Sequence, residues 1–386
     1  MSKSEGTIPD NFANENDSHY MPSASRREAL SPADRRVAGA PRNAGETKES
    51  QWFHSMVIKT WQGHPHQPFQ MGSQAVPNPL RIAGIGANLG GVAGDLDAVR
   101  AQMNELIALG AEVVECYASD LGVVADAGLI PGRVAELREI CAERPLAVTL
   151  HAPIPIDFMD RENIELHRAA ARVSVELAAE IGAGIVVIHA GRATPEAWAR
   201  DADGLLAFER DELSALGDIA RDAGLRIALE NISPNPAVIA GRLTSYSLDP
   251  AALARQLALV DHPGVTGCLD YSHANQGAGL LDLDPVAGAR AMAPVTGHIH
   301  ISEASGRPAI PSIAAQHDWM YFGIGDMHAP LGSGCMDLDA LADVSDVLPG
   351  TYAILELQRH ARAMLGDSLT RLRAFAGHVN ALDRAA

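Results

Sequence analysis

The sequence predicts an α/β protein, a (β/α)8 TIM barrel behind a long polar N-terminal extension. Three observations predict it. Eight short apolar runs recur between residues 81 and 355. Amphipathic segments of helical length separate them, among them Leu96–Leu109, Val134–Cys141, Glu162–Ile181 and Glu209–Ala223. From the third run onward, most of the runs lead into a His, Asp or Glu. Strand–helix alternation of this kind requires parallel strands joined by right-handed crossovers. Eight such units suit a closed barrel better than an open doubly wound sheet.

The first strand is expected at Arg81–Ile85, followed by the glycine-rich run Gly84-Ile85-Gly86-Ala87-Asn88-Leu89-Gly90-Gly91. Its spacing does not fit a dinucleotide fingerprint, so it reads as a tight loop at the barrel mouth. Glu112–Cys116 is the second strand. Leu146–Leu150 runs into His151, Gly184–Ile188 into His189, and Arg226–Leu229 into Glu230-Asn231. Thr266–Leu269 runs into Asp270, with His273 three residues on. Thr296–Ile301 contains His298 and His300, and Tyr352–Leu355 runs into Glu356. Residues 79–386 are assigned to the barrel. Residues 1–78 lack sustained apolar periodicity and are rich in Ser, Asn, Pro and charge, which reads as a disordered extension.

Charge narrows the chemistry. The net charge is −18, from 30 basic and 48 acidic residues. The extension is close to neutral, so the excess acid belongs to the barrel. All three lysines, Lys3, Lys48 and Lys59, precede it, whereas eleven of the fifteen histidines lie beyond residue 80. A barrel without lysine excludes Schiff-base aldolases, pyridoxal-phosphate enzymes, P-loop nucleotide binding and enolase-type lysine bases. The acidic balance argues against a nucleic-acid coat. No apolar run is long enough for a membrane span. The four cysteines have no CxxC spacing and read as reduced thiols of a cytoplasmic protein.

Active sites of this architecture sit at the C-terminal ends of the strands. One acid or imidazole there could simply be solvated. Six consecutive strands with such ends, closing to one radius, would collect unpaired charge unless cations bind among them. Imidazole and carboxylate without thiolate suit Zn²⁺ first, with Mn²⁺ or Fe²⁺ as alternatives. His298 and His300 share a strand face. His300 is expected on the metal, and His298 one layer deeper, supporting it or touching substrate. Asn88 and Glu115 are expected at the substrate. His167, His262, His360 and His378 read as surface residues. The long loop after the seventh strand, with His317, Trp319, Tyr321 and Phe322, reads as a candidate lid.

This run of strand ends resembles the xylose-isomerase-like TIM-barrel superfamily, which includes endonuclease IV and sugar and sugar-phosphate isomerases and epimerases. The resemblance to the epimerases implies one divalent metal on Glu230, Asp270, His300 and Glu356, with Glu230 and Glu356 also moving protons. It further implies that His300-Ile301-Ser302-Glu303 and Arg307 bind substrate. Resemblance to endonuclease IV, strongest in LDYSHANQGAG and in Asp326-Met327-His328 with the following Pro-Leu-Gly-Ser-Gly, implies further ligands: His151, His189, His273, Asp326 and His328. Two or three divalent ions would then be held. Three reactions are open: phosphoester hydrolysis at a multinuclear site, which the count of nine ligands favours, metal-dependent sugar isomerisation or epimerisation, and multinuclear iron oxidation. The expected partner is a small molecule, phosphorylated or sugar-like, with neither nucleic acid nor membrane.

Overall fold

The computed structural model describes residues 80–382 apart from 311, 314 and 315; the N-terminal extension expected from the sequence lies outside the described residues. Eight strands form one closed parallel barrel: β1 (Ile82–Asn88), β2 (Val113–Tyr117), β3 (Ala147–His151), β4 (Ala183–His189), β5 (Arg226–Glu230), β6 (Val265–Asp270), β7 (Thr296–Ile301) and β8 (Thr351–Leu355). Each pairs with its sequence neighbours, and β1 pairs with β8 to close the ring. The expected strands are all present, within a few residues at each end.

Helices fill the crossovers: α1 (Leu96–Ala108), α2 (Pro131–Ala142), α3 (Ile164–Ile181), α4 (Pro195–Asp222), α5 (Pro236–Ile239), α6 (Pro250–Val260), α7 (Tyr271–Leu281), α8 (Pro285–Met292), α9 (Gln316–Phe322), α10 (Leu338–Val344) and α11 (Leu365–Ala381). A recurring local code starts several of them. Thr194-Pro195, Asn235-Pro236, Asp249-Pro250 and Asp284-Pro285 each place an oxygen-bearing cap before a proline at the first helical position. The cap accepts an orphan backbone N–H, and the proline needs none. The amphipathic pattern locates only the second half of α4. Its first half starts at the Thr194 cap, and the helix is interrupted at Asp201, which has φ −156° and ψ 53°.

Alternation along each strand divides the core. Val186 and Ile188 of β4 face outward into the apolar layer shared with the helices. Ile185 and Val187 point inward and pack with Ala228 and Cys268. Two positions further along, the same inward faces carry His189, Glu230 and Asp270. An apolar plug therefore fills the lower barrel, and polar side chains occupy its mouth. The register staggers them. Tyr117 lies level with His151, His189 with Glu230, and Asp270 with His300, whereas Glu230 lies level with Cys268. The ligand ends climb as a stair rather than a flat ring, as barrel shear requires.

Gly86 marks a close approach between β1 and β2. A Cβ there would lie 1.7 Å from the Val113 carbonyl oxygen. Backbone cannot yield as a side-chain tip can, so Gly86→Ala is expected to cost about 3 kcal/mol, at the upper end for overpacking. Urea unfolding followed by circular dichroism measures it, and an unchanged midpoint would contradict the close approach.

Candidate metal centre

Glu230 is the hub. Its carboxylate is fully buried. Oε2 lies 3.3 Å from His151 Nε2 and 3.3 Å from His189 Nε2. Oε1 lies 3.2 Å from His300 Nδ1 and 3.3 Å from His273 Nδ1. One carboxylate thus faces two imidazoles with each oxygen, the geometry of a bridge between two sites. Burial alone would push its pKa up, but the imidazoles of His300, His189 and His151 beside it hold it well below the usual range.

The neighbouring groups are fixed from outside. His151 Nδ1 lies 2.7 Å from the Ala152 carbonyl, to which it donates, and this turns Nε2 toward Glu230, where a metal would take the place of a proton. Asn231 clamps the ends of β5 and β6 together: its Oδ1 accepts from the Asp270 N–H, and its Nδ2 donates to the Asp270 carbonyl, both at 2.9 Å. Asp270 Oδ1 caps α7 by accepting from the His273 N–H at 2.8 Å and also accepts from Ser272 Oγ at 2.8 Å. That leaves Oδ2 for the site.

A third group lies beside them. Asp326 Oδ2 is 3.2 Å from His273 Nε2 and 2.9 Å from His328 Nε2. His328 adopts φ +45°, a left-handed backbone that a histidine holds only where its surroundings enforce it. Glu356 joins the groups. Its Oε1 accepts from Tyr117 Oη at 2.5 Å and lies 3.6 Å from His300 Nδ1, and its Oε2 lies 3.8 Å from His328 Nδ1. All nine residues expected as ligands converge on one mouth.

The donor set fits divalent cations. Ligand atoms of His151, His189 and Glu230, of His151, His300 and Glu356, and of His273, Asp326 and His328 each lie within 4.8 Å of one another. Glu230 Oε2 and Asp270 Oδ2 are buried with no hydrogen-bond donor among the described residues. Orphaned buried carboxylate oxygens cost several kcal/mol each unless a cation meets them.

None of the five residues expected at the substrate lines the pocket at the mouth. Glu115 and His298 are fully buried beneath the mouth. Glu115 Oε2 lies 2.9 Å from His298 Nε2, and its Oε1 lies 2.9 Å from His300 Nε2, on the far side of the ring from Glu230. The pair supports His300 from below. Asn88 is buried and accepts from the Leu357 N–H. Glu303 is buried and accepts from the Gly332 and Met336 N–H groups, both at 2.8 Å, so it anchors the loop behind His328. Arg307 is exposed. His167 and His262 are half-buried against Asp160 and Asp218 rather than freely solvated. In the loop after β7, Trp319 packs into a small apolar cluster with Ala309, Ile324, Met327 and Ala329, while His317, Tyr321 and Phe322 are exposed.

The residues that do face the mouth include several that strand-end logic missed. A pocket of about 140 Å³ is lined by His151, His189, Glu230, His273, Asp326, His328 and Glu356, and also by Tyr117, Ile154, Arg192, Ser233 and Asn235. Tyr117 is the last residue of β2 and stacks on His151, ring centroids 4.6 Å apart. The remainder lie on loops after β3, β4 and β5, where no spacing rule marks them.

A barrel with its polar groups at the C-terminal mouth defines a class, and comparison with known proteins gives the family. A family model described as "Xylose isomerase-like TIM barrel" matches residues 103–375, and this chain belongs to that family. The uncharacterized protein MJ1311 of Methanocaldococcus jannaschii is 28% identical over 151 residues, which is 38% of this chain and 48% of that protein. The match thus spans about half the length of that curated relative. Among solved structures, a D-tagatose 3-epimerase-like protein superposes with TM-score 0.57 at 18% identity, covering 76% of this chain and 98% of that one. A D-allulose 3-epimerase from Methylomonas sp. superposes with TM-score 0.56 at 15% identity, covering 78% and 100%. At these identities the likeness establishes a shared barrel fold.

The electrostatics predict how a cation loads. Burial lowers the histidine pKa values, but Asp326 beside His328 outweighs it and raises that imidazole to about 9; Asp270 and Asp326 raise His273 well above the ordinary value. Both imidazoles carry protons at pH 7 and must release them to bind a metal. Adding Zn²⁺ or Mn²⁺ to chelator-treated protein at pH 7 is therefore expected to release protons, and affinity should rise from pH 6 to about 9, then level off. Calorimetry in buffers of different ionisation enthalpy measures both. Affinity independent of pH over that range would contradict the assignment.

Proposed function

We propose that this protein is a divalent-metal-dependent isomerase or epimerase of a small sugar-like substrate, with Glu230 and Glu356 as its proton-moving carboxylates. One observation carries the reading: these two buried carboxylates, both lining the pocket, each approach His300 Nδ1, at 3.2 and 3.6 Å. The size of the pocket, about 140 Å³, favours a molecule on the scale of a monosaccharide over a nucleic acid. The D-tagatose 3-epimerase-like and D-allulose 3-epimerase structures that share the barrel support the same substrate class.

Glu230, Asp270, His300 and Glu356 would hold the metal of such an enzyme. A bound divalent cation supplies Lewis-acid polarisation of a carbonyl and its neighbouring hydroxyl. The residues do the rest. One carboxylate removes the proton from the carbon beside the carbonyl. The carboxyl on the other side returns a proton to the opposite face, which inverts the carbon, or to the former carbonyl carbon while the neighbouring hydroxyl proton passes to the former carbonyl oxygen, which moves the carbonyl. Tyr117 donates to Glu356 Oε1 and so fixes which oxygen is free to move a proton. The Glu115–His298 pair keeps His300 from turning. Ile154 and Ile232 provide apolar wall beside these polar groups.

A second reading, hydrolysis of a phosphoester at two or three ions, is favoured by Asp326 and His328, which a one-metal isomerase does not require. Two measurements separate the readings. Metal-loaded protein incubated with ketohexoses and ketohexose phosphates in D₂O is expected to exchange a carbon-bound proton, followed by NMR, and Glu356→Gln should slow this by ~10²-fold or more. Phosphate release without exchange would overturn the isomerase. Elemental analysis is expected to give more than one metal per chain, falling in Asp326→Ala and His328→Ala. A value near one, unchanged in those variants, would overturn the multinuclear site while leaving the isomerase standing.

A further inference from the structure

Arg192 is a pocket cation that the proposed proton chemistry does not use. It lies two residues beyond Ala190, where β4 leaves the barrel, and its side chain is 13% exposed. Nη2 donates to the Ile154 carbonyl at 3.0 Å, on the opposite loop. Nη1 meets no acceptor among the described residues, and Arg192 lines the pocket. The simplest assignment would make Arg192 the counter-ion of Asp157. That ion pair is present but loose: Nε lies 3.8 Å from Asp157 Oδ2, longer than a hydrogen bond, so no guanidinium N–H is spent on it. Asp157 instead accepts from backbone, from the Met159 N–H at 2.9 Å and from the Arg192 N–H at 3.2 Å to each oxygen. It holds the Arg192 main chain and leaves much of the guanidinium unspent.

The turn that carries Arg192 is also fastened from behind. Glu209 of α4 is fully buried with no cationic partner. It accepts from the Gly191 N–H at 2.7 Å, from Tyr246 Oη at 2.6 Å and from Gln256 Nε2 at 2.9 Å. A Cβ on Gly191 would lie 2.6 Å from Met159 Cγ and 2.9 Å from Glu209 Oε1, so the turn leaves no slack. Buried Glu209 and half-buried Asp157 therefore fix a two-residue turn whose projecting group is a half-used guanidinium. Across the pocket, Asn235 Oδ1 is committed to the Ala237 and Val238 N–H groups, which leaves Nδ2 as a donor, and Ser233 lies beside it.

We infer that Arg192, with Ser233 and Asn235, forms an anion subsite for a phosphate or carboxylate substituent at the end of the substrate away from the reacting carbon. The inference rests on the sugar reading for the rest of the substrate, which becomes a sugar phosphate or a sugar acid. A planar fork with free N–H groups suits either anion. The binding energy spent there fixes the chain of the substrate against the carboxylates.

Binding and turnover test it separately. Calorimetric titration of metal-loaded protein with inorganic phosphate is expected to show binding in the wild type and a loss of ~10-fold or more in Arg192→Gln, as for a lost charge-assisted contact. Arg192→Lys should recover part of it. Thermal melts confirm that both variants fold. Equal phosphate affinity in all three proteins, or none in the wild type, would overturn the subsite. In the D₂O exchange assay, the preference for a ketose phosphate or a keto acid over the neutral ketose should fall in Arg192→Gln; the larger fall tells phosphate from carboxylate. Equal preference in wild type and variant also overturns the subsite. Exchange of no sugar at all, with Arg192-dependent phosphate binding intact, would sink the isomerase and leave the subsite standing.

Discussion

The mouth of this barrel is organised around one costly arrangement, a fully buried carboxylate at Glu230 with four imidazoles about it. An isolated buried carboxylate is penalised by several kcal/mol, and crowded protonated imidazoles repel one another. The arrangement persists because the backbone imposes it. Parallel strands fix where each side chain leaves the sheet, and the Asn231–Asp270 clamp locks β5 to β6 at the level of the hub. The side chains cannot separate to lower their energy. A site held this rigidly against its own electrostatics has a donor set that fits divalent cations.

The support for that hub comes in layers. Below it lies an apolar plug of Ile185, Val187, Ala228 and Cys268, which excludes water. Above the plug, Glu115 and His298 form a dry polar layer under His300. The hub itself follows, and then the loops. Rigidity falls to local devices at the top: Glu303 on two backbone N–H groups, His328 held in a left-handed conformation, and Asp157 and Glu209 holding the Gly191–Arg192 turn. The buried acids outside the metal centre thus act as acceptors for backbone.

Much of the ligand set was legible in the sequence, and the reasons are specific. A buried parallel strand reads as an apolar run, so its end is marked by the first polar residue, and His151, His189, Glu230, Asp270 and Glu356 are such residues. Asp326 and His328 came from resemblance to a motif, since a loop has no period to read. Substrate contacts were read less well. Glu115, His298, Asn88, Glu303 and Arg307 have the right chemistry, yet none lines the pocket. Two face the barrel interior one layer too low, two are spent on backbone, and one is exposed. Tyr117 escaped because an aromatic at a strand end looks like more core.

The sequence by itself determined the fold class, the eight strands and the absence of lysine from the barrel. Each follows from local pattern or composition, which the chain carries in one dimension. Tertiary structure alone decided that the ligands climb as a stair through the barrel shear, that Glu230 turns one oxygen to His151 and His189 and the other to His273 and His300, and that Arg192 rather than Arg307 reaches the pocket. Those outcomes depend on register between strands and on the paths of loops. Register and loop path are set by contacts between residues tens or hundreds of positions apart, and no local pattern in the chain encodes them.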